Sequence, residues 1–186
     1  MQRLTVFDQV SLDGYFADSR NDMSWAHRDD PEWNAFVSGN ASGGTDGTLL
    51  FGRVTYQMMQ SFWPTPLAAE RMAVVAKRMN EGKKAVFSNT LKEASWQNTR
   101  LLRGDLATEI GHLKSEPGGG IVVLGSGTLV AGLSQARLVD EYQIIVNPLV
   151  LGSGRTLFEG VRDRIQLRLT STRAFGNGNV LLTYVA

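Results

Sequence analysis

Ile121-Val122-Val123-Leu124 is the most continuous apolar run in the chain, bracketed by Pro117-Gly118-Gly119-Gly120 before it and Gly125-Ser126-Gly127-Thr128 after it. A run this short between chain breakers suits a strand better than a helix, and a strand without polar alternation is one buried on both faces. Such strands belong to parallel sheets with helices on each side, so this segment points the chain to an α/β architecture.

The remaining pattern agrees. Residues 4–10 read as a first strand entering the turn Ser11-Leu12-Asp13-Gly14, and 16–30 as a loop. Asp30 before Pro31 predicts a helix cap with proline at the first helical position; Trp33, Phe36 and Val37 then share one face, and Gly43, Gly44 and Gly47 end the helix. A strand over 48–51 meets Gly52 and enters a helix over 54–62, and a second helical pattern covers 67–79, closed by Asn80 and Gly82. Strands are expected over 84–88 and 96–102, and a helix over 105–114 with Asp105 in its first turn. After the buried strand come a helix over 130–138, a strand over 141–146, and an antiparallel hairpin of 165–175 and 180–185 around Gly176-Asn177-Gly178-Asn179. The expectation is a mostly parallel central sheet, helices on its faces and an antiparallel C-terminal edge.

Composition narrows the function. With 186 residues, 42% apolar and 20% charged, the chain reads as one globular domain spanning 1–186. A net charge of +1 supplies no broad basic face, which argues against nucleic acid as a partner. Cysteine is absent, excluding disulfides, thiolate metal sites and a cysteine nucleophile. His27 and His112 have no spacing suited to zinc or a catalytic triad, so no metal is expected and both read as surface residues. No signal-type leader and no long apolar run occur, so no membrane association and a cytoplasmic location are expected.

The glycine turn after the buried strand is the strongest chemical signal. Without a Cβ at Gly125 and Gly127 a pyrophosphate could approach the backbone at a helix N-terminus, with Ser126 and Thr128 adding hydroxyls; a merely tight turn is the plain alternative. The dinucleotide fingerprint is not met, because the third glycine falls late, at Gly132, and Asp140 and Glu141 open the next strand. A second glycine turn, Gly52-Arg53-Val54-Thr55, puts a cation where the helix dipole disfavours it, which an anion would offset, as would a nearby carboxylate. Ser88 and Asn89 end a third strand, suited to a ribose or phosphate contact or to turn capping. Asp13 could face the same crevice or serve its own turn. Asp29, Asp30 and Glu32 crowd a helix start, where capping explains them. Glu159, after Phe158, is a candidate pocket carboxylate, whereas 149–155 reads as a connecting loop.

Taken together, Ser11-Leu12-Asp13-Gly14, Phe51-Gly52-Arg53-Val54-Thr55-Tyr56, Phe87-Ser88-Asn89-Thr90-Leu91, Gly125-Ser126-Gly127-Thr128-Leu129 and Val139-Asp140-Glu141 on to Leu151-Gly152-Ser153-Gly154 resemble the C-terminal reductase domain of the riboflavin-biosynthesis bifunctional deaminase-reductase, over nearly the whole chain. The resemblance implies a dihydrofolate-reductase-like three-layer fold, NADPH as hydride donor and commonly a homodimer. It would set Gly52, Arg53 and Thr55 near the adenosine-side phosphates, Ser88 and Asn89 near the ribose, and Gly125, Ser126, Gly127, Thr128 and Leu129 at the pyrophosphate. Asp13 would face substrate and nicotinamide as the catalytic residue, with Tyr15, Trp33 and Glu159 completing the substrate pocket. The zinc deaminase half has no counterpart here, and Tyr15 stands where the riboflavin enzymes carry lysine. Asn89 stands where dihydrofolate reductases often have arginine, leaving NADH open beside NADPH. The expected activity is reduction of a small planar heterocycle, aminopyrimidine or pterin-like. Dihydrofolate reduction and a non-catalytic nucleotide-binding dimer are the alternatives.

Overall fold

In the computed structural model, which describes residues 1–26, 30–40 and 46–186, the apolar run becomes strand β6 (Ile121–Leu124). It lies parallel between β1 (Leu4–Ser11) and β3 (Thr48–Gly52), with Val123 opposite Val6 on one side and Leu50 on the other. Beyond β3 come β4 (Lys83–Phe87) and β5 (Thr99–Leu102); beyond β1 come β7 (Glu141–Asn147), β10 (Val180–Val185) and β9 (Arg168–Ala174). The sheet order is β5-β4-β3-β6-β1-β7-β10-β9, parallel from β5 to β7 and antiparallel through the terminal hairpin.

Strand alternation sorts the side chains onto two covered faces. Helices α5 (Leu106–Ser115) and α6 (Gly127–Gln135) close one face, where Val6, Leu50, Val123, Ile110, Leu129 and Leu133 form the largest core cluster. The opposite face carries two separate clusters. Under α2 (Arg53–Phe62) and α4 (Ala73–Glu81) lie Leu49, Phe51, Tyr56, Val86 and Trp96; under α1 (Pro31–Asn40) lie Trp33, Ile145, Phe175 and Leu181. Between the two, Val122, Leu124, Phe7 and Gln9 are only half-buried.

Several expectations are corrected. The helical stripe over 67–79 is two helices, α3 (Pro66–Arg71) and α4, because the backbone leaves the helical region at Met72 (φ −141°, ψ 50°). The helix after β6 starts at the glycine turn and ends at Gln135, before Arg137 turns left-handed at φ 58°. Of 96–102 only the last four residues are strand, since Trp96 is drawn into the core and its backbone N–H donates to Tyr56 Oη at 2.9 Å. The 16–30 loop contains part of β2 (Tyr15–Ala17), which pairs with β8 (Arg155–Thr156). Of the terminators expected for α1, Gly43 and Gly44 lie outside the described residues, as do His27 and Asp29.

One core position breaks the apolar pattern. Asp8 sits on β1 between Val6 and Val10, 4% exposed; Oδ1 accepts from Gln9 N–H at 3.0 Å and Oδ2 has no partner among the described residues. Burial pushes its carboxyl up from 3.8 to about 7, against the opposing effect of the Gln9 N–H. The folded chain therefore keeps a proton that the unfolded chain has released between about pH 4 and pH 7, and stability falls as pH rises through that window. At about 1.4 kcal/mol per pKa unit, this corresponds to about 4 kcal/mol. Asp8→Asn is expected to match wild type in thermal unfolding near pH 4 and to exceed it by about 2–4 kcal/mol at pH 8; equal stabilities at both pH values would refute the assignment.

Candidate active site

The two glycine turns meet because their strands are neighbours. Gly52 passes directly from β3 into α2, and Gly125-Ser126 passes from β6 into α6. A Cβ at Gly52 would come within 2.7 Å of Ser126 Cβ and closer still to Ser126 Oγ. One at Gly125 would lie 3.3 Å from Thr55 Cγ2 and Oγ1, and one at Gly127 2.8 Å from the Phe16 ring. The three glycines thus let two helix starts interlock under the β2 ring. Gly125 has φ 63° and Ser126 φ 70°, a left-handed conformation that costs a non-glycine residue about 1 kcal/mol.

Side-chain caps divide the helices: α1, α3 and α5 have one, whereas α2 and α6, like α4 with Met72 at its start, have none. Asp30, Thr65 and Asp105 accept backbone N–H bonds at the starts of α1, α3 and α5, from Trp33, Ala68 and Thr108. Gly52 and Ser126 give α2 and α6 no side-chain cap. Two positive helix ends therefore converge at the carboxyl edge of the sheet with first-turn N–H groups that no cap residue satisfies, a setting that favours an anion. Arg53 adds a cation there. It donates to Gln57 Oε1 at 3.0 Å and has no carboxylate partner among the described residues.

Beside these turns lies an open groove of about 690 Å³ between α2 (Arg53, Gln57, Gln60) and the segment carrying Thr90, Leu91, Lys92, Glu93 and Ser95. Ser88 and Asn89 form the base of that segment without lining the groove. The Ser88 hydroxyl accepts from Thr90 and Leu91 N–H at 3.2 and 2.9 Å, and Asn89 Oδ1 accepts from Gly104 N–H at 2.7 Å. Both side chains shape the wall.

The expected substrate residues do not gather in one place. Asp13, beyond the end of β1, accepts from Ser11 Oγ at 2.6 Å, Leu151 N–H at 3.1 Å and Gly152 N–H at 2.7 Å. The Ser11 hydroxyl above all, with the two N–H groups, holds its carboxyl below the usual carboxylate range, so it is anionic at neutral pH and ties two loops together. Tyr15 is half-buried on β2, with its N–H on Ser11 Oγ. Trp33 is 4% exposed and packs edge-on to Phe175 at 5.1 Å, a core ring with no free face. Glu159 and Thr128 line a separate cavity of about 400 Å³ on the outer side of α6, with Gln135 and Arg162. Leu129 is buried in the core. The acids near the failed fingerprint occupy the opposite end of the sheet: Asp140 pairs with Lys114 at 2.7 Å and Glu141 with Arg3 at 2.7 Å. No metal-binding group of histidine and carboxylates occurs among the described residues, and His112 is exposed. No helix among them is long and apolar enough to cross a membrane.

Residues 2–181 match the family model of the RibD C-terminal domain. The chain belongs to that family. It is 29% identical over 185 residues to the uncharacterized protein YyaP of Bacillus subtilis, covering 98% of this chain and 95% of that one. A crystal structure of a Shewanella sp. PV-4 protein assigned to riboflavin biosynthesis superposes with a TM-score of 0.74 at 24% identity, over 100% of this chain and 98% of that one. The Thermotoga maritima diaminohydroxyphosphoribosylaminopyrimidine deaminase/5-amino-6-(5-phosphoribosylamino)uracil reductase superposes with a TM-score of 0.68 at 14% identity, over 99% of this chain and 56% of that longer one. The fold is that of the dihydrofolate-reductase-like reductases.

Within this RibD C-terminal domain, three amides escaped the sequence reading. Gln9, Asn147 and Asn179 stand on the α1 side of the sheet near its carboxyl edge. Asn147 Nδ2 donates to Gln9 Oε1 at 3.3 Å; Asn147 Oδ1 and both amide atoms of the fully buried Asn179 lack partners among the described residues. Polar residues in step with Phe7, Ile145 and Leu181, at positions that alternation reserves for the core, were the available signal.

The interlocking turns make a sharp mutational contrast. Gly52→Ala should cost about 1–3 kcal/mol, because φ −79° suits any residue and the penalty is the collision with Ser126 alone. Gly111→Ala, inside α5 with open space at its Cβ, should add about 0.5–1 kcal/mol. Chemical denaturation of both variants checks this; an innocuous Gly52→Ala would remove the interlock.

Proposed function

We propose that this RibD C-terminal domain is an NADPH-dependent reductase of a small planar heterocycle, aminopyrimidine or pterin-like. The observation that carries the reading is the pair of uncapped helix starts, interlocked through Gly52 with Ser126 and Thr55 with Gly125, beside an arginine that has no ion pair among the described residues. The donor set fits a dinucleotide. Convergent first-turn N–H groups suit a pyrophosphate, Arg53 suits a further phosphate as a charge-assisted donor, and the groove it lines has room for a nucleoside. A reduced nicotinamide, when bound, supplies the hydride.

The protein's own share is orientation and electrostatics. Phe16, against Gly127 and with the Arg155 guanidinium 5.5 Å from its ring centroid, roofs the α6 start and limits where a ligand can lie. Asp13, anionic and tethered, holds the loop through Leu151 and Gly152 as a positioning residue. Half-buried Gln9, in the gap between the two clusters, offers an amide to a ring edge that both donates and accepts. The folate reading needs a free acid at α1. Among the described residues, Asp30 is engaged in capping Trp33 and Glu32 pairs with Arg173 at 2.7 Å, and Asp29 lies outside them, so the two described acids support the pyrimidine-type substrate over folate.

NADPH is expected to raise the melting temperature, with a smaller rise for NADH. Gly125→Val should abolish both shifts, and Arg53→Ala should weaken NADPH at least about tenfold, a loss of about 1.4 kcal/mol, while changing NADH less. Calorimetric titration and thermal shift decide this, and no response to either nucleotide would overturn the cofactor assignment. If NADPH binds but is never oxidised across aminopyrimidinones, pterins and dihydrofolate, the domain is a nucleotide-binding module.

A further inference from the structure

The amides on the α1 side of the sheet are joined by hydrogen bonds that have a direction. Gln9 is opposite Ile145 on β7, and Asn147 stands two residues further along that strand, on the same face by alternation. Asn147 is fully buried; its Nδ2 lies 3.3 Å from the backbone carbonyl oxygen of Val10 and 3.3 Å from Gln9 Oε1. A carbonyl oxygen only accepts, so the end of Asn147 that faces Val10 has to be the N–H2 end. The second N–H of that group then fixes the next amide. Gln9 turns its oxygen to Asn147, because its own N–H2 in that place would set donor against donor. One backbone carbonyl thus orients two side chains in sequence.

That orientation decides which end of Gln9 is left over. With Oε1 directed at Asn147 on β7, Nε2 is turned away from that strand, towards the side on which β6 has already ended with Leu124 opposite Phe7. The glycine turn follows there, and Thr55 of α2 stands 3.3 Å from where a Cβ of Gly125 would lie. Nε2 makes no hydrogen bond among the described residues and Gln9 is only half-buried, so its N–H donors remain for a ligand in the gap.

Packing does not account for these amides. Asn147 Oδ1 and both polar atoms of Asn179 are buried without partners among the described residues, at positions in step with Phe7, Ile145 and Leu181. Apolar side chains in the same places would leave nothing unpaired. A buried polar pair kept at that cost serves something other than stability.

We propose that Asn147 is a positioning residue that locks Gln9 as a hydrogen-bond donor, and that Gln9 selects the bound ring by a carbonyl oxygen and against an amino group at the same place. This rests on the reductase reading, which sets a ring over Gln9, and narrows it, since of the two ends of that amide only the donor meets the ligand. A ring carbonyl accepts from Nε2. An amino group there would oppose N–H to N–H and leave both unpaired, which is how a polar site rejects an analogue most strongly.

Calorimetric titration of the NADPH-loaded protein with aminouracil and with triaminopyrimidine, which has amino groups in place of the ring oxygens, reads the preference. Wild type should favour aminouracil at least about tenfold. Gln9→Glu, which replaces the donor by an acceptor, should invert the order. Asn147→Leu, of similar volume and with no hydrogen bond to offer, should stay folded by circular dichroism and, by freeing Gln9 to turn, bring the two affinities within about threefold. Hydrogen exchange of the side-chain amides followed by NMR gives the orientation without any ligand: the Asn147 Nδ2 protons should be protected and those of Gln9 Nε2 should exchange freely. A wild type that binds neither ring or prefers triaminopyrimidine, an unchanged order in Gln9→Glu, an Asn147→Leu that keeps the wild-type ratio, or Asn147 amide protons that exchange as fast as those of Gln9 would each overturn the proposal. Failure of NADPH to bind the wild type would instead overturn the cofactor reading, and amide exchange would still decide the orientation of Gln9.

Discussion

The close approach of Gly52 to Ser126, matched by that of Thr55 to Gly125, is the contact on which the candidate site depends. It exists because β3 and β6 are hydrogen-bonded neighbours ending at the same edge, so two strand-to-helix turns must share one small volume. Any side chain at Gly52 would push α2 and α6 apart. With hydrogen there, both positive helix ends stay together and Phe16 closes over Gly127, joining the β2–β8 pair to the same edge. An anion site made this way consists of backbone held in place by packing, which is more rigid than one made of flexible side chains.

Charge is distributed in keeping with that edge. Arg53 makes no ion pair among the described residues, while the Asp13 carboxylate is held by a hydroxyl and two backbone N–H groups. Elsewhere, ionisable groups serve the fold. Lys84 is buried and donates to the carbonyls of Met79, Asn80 and Gly82, closing the end of α4, with its pKa lowered to about 8 by desolvation. Asp140 anchors the start of β1 through Leu4 N–H and the Lys114 ammonium. The amino edge of the sheet is thus tied by ion pairs, and the carboxyl edge is left with unsatisfied donors.

The divided core on the α1 and α2 face follows from the same layout. A single helix layer over β6 and β1 would have buried Phe7, Gln9 and Leu124 completely; instead two clusters stand on either side of them. The resulting gap opens beside the glycine turns, where a ring held over Gln9 would be next to a ligand at the helix starts. The opposite face is continuous from β5 to β7 under α5 and α6.

Fold class was legible in the sequence because it rests on short-range physics. A both-sides-apolar strand, glycine at two strand ends, an Asp-Pro helix start and a terminal alternating pair each need only neighbouring residues, and all of them recur in the structure. The turns at Gly52 and Gly125 were visible as anion-compatible for the same reason. What local pattern could not decide was which side chains are spent. Ser88, Asn89 and Asp13 have the chemistry of ligand contacts, yet their hydrogen-bonding capacity is taken up by Leu91, Gly104 and Gly152, partners that only the folded chain supplies. Trp33 and Glu159 were drawn towards one pocket by residue type and are separated because one faces the α1 core and the other the outside of α6. Sequence alone determined the layers and the strand ends, since periodicity and steric freedom are local properties; tertiary structure decided which polar groups remain free, since a hydrogen bond is consumed by whatever the fold brings within 3 Å.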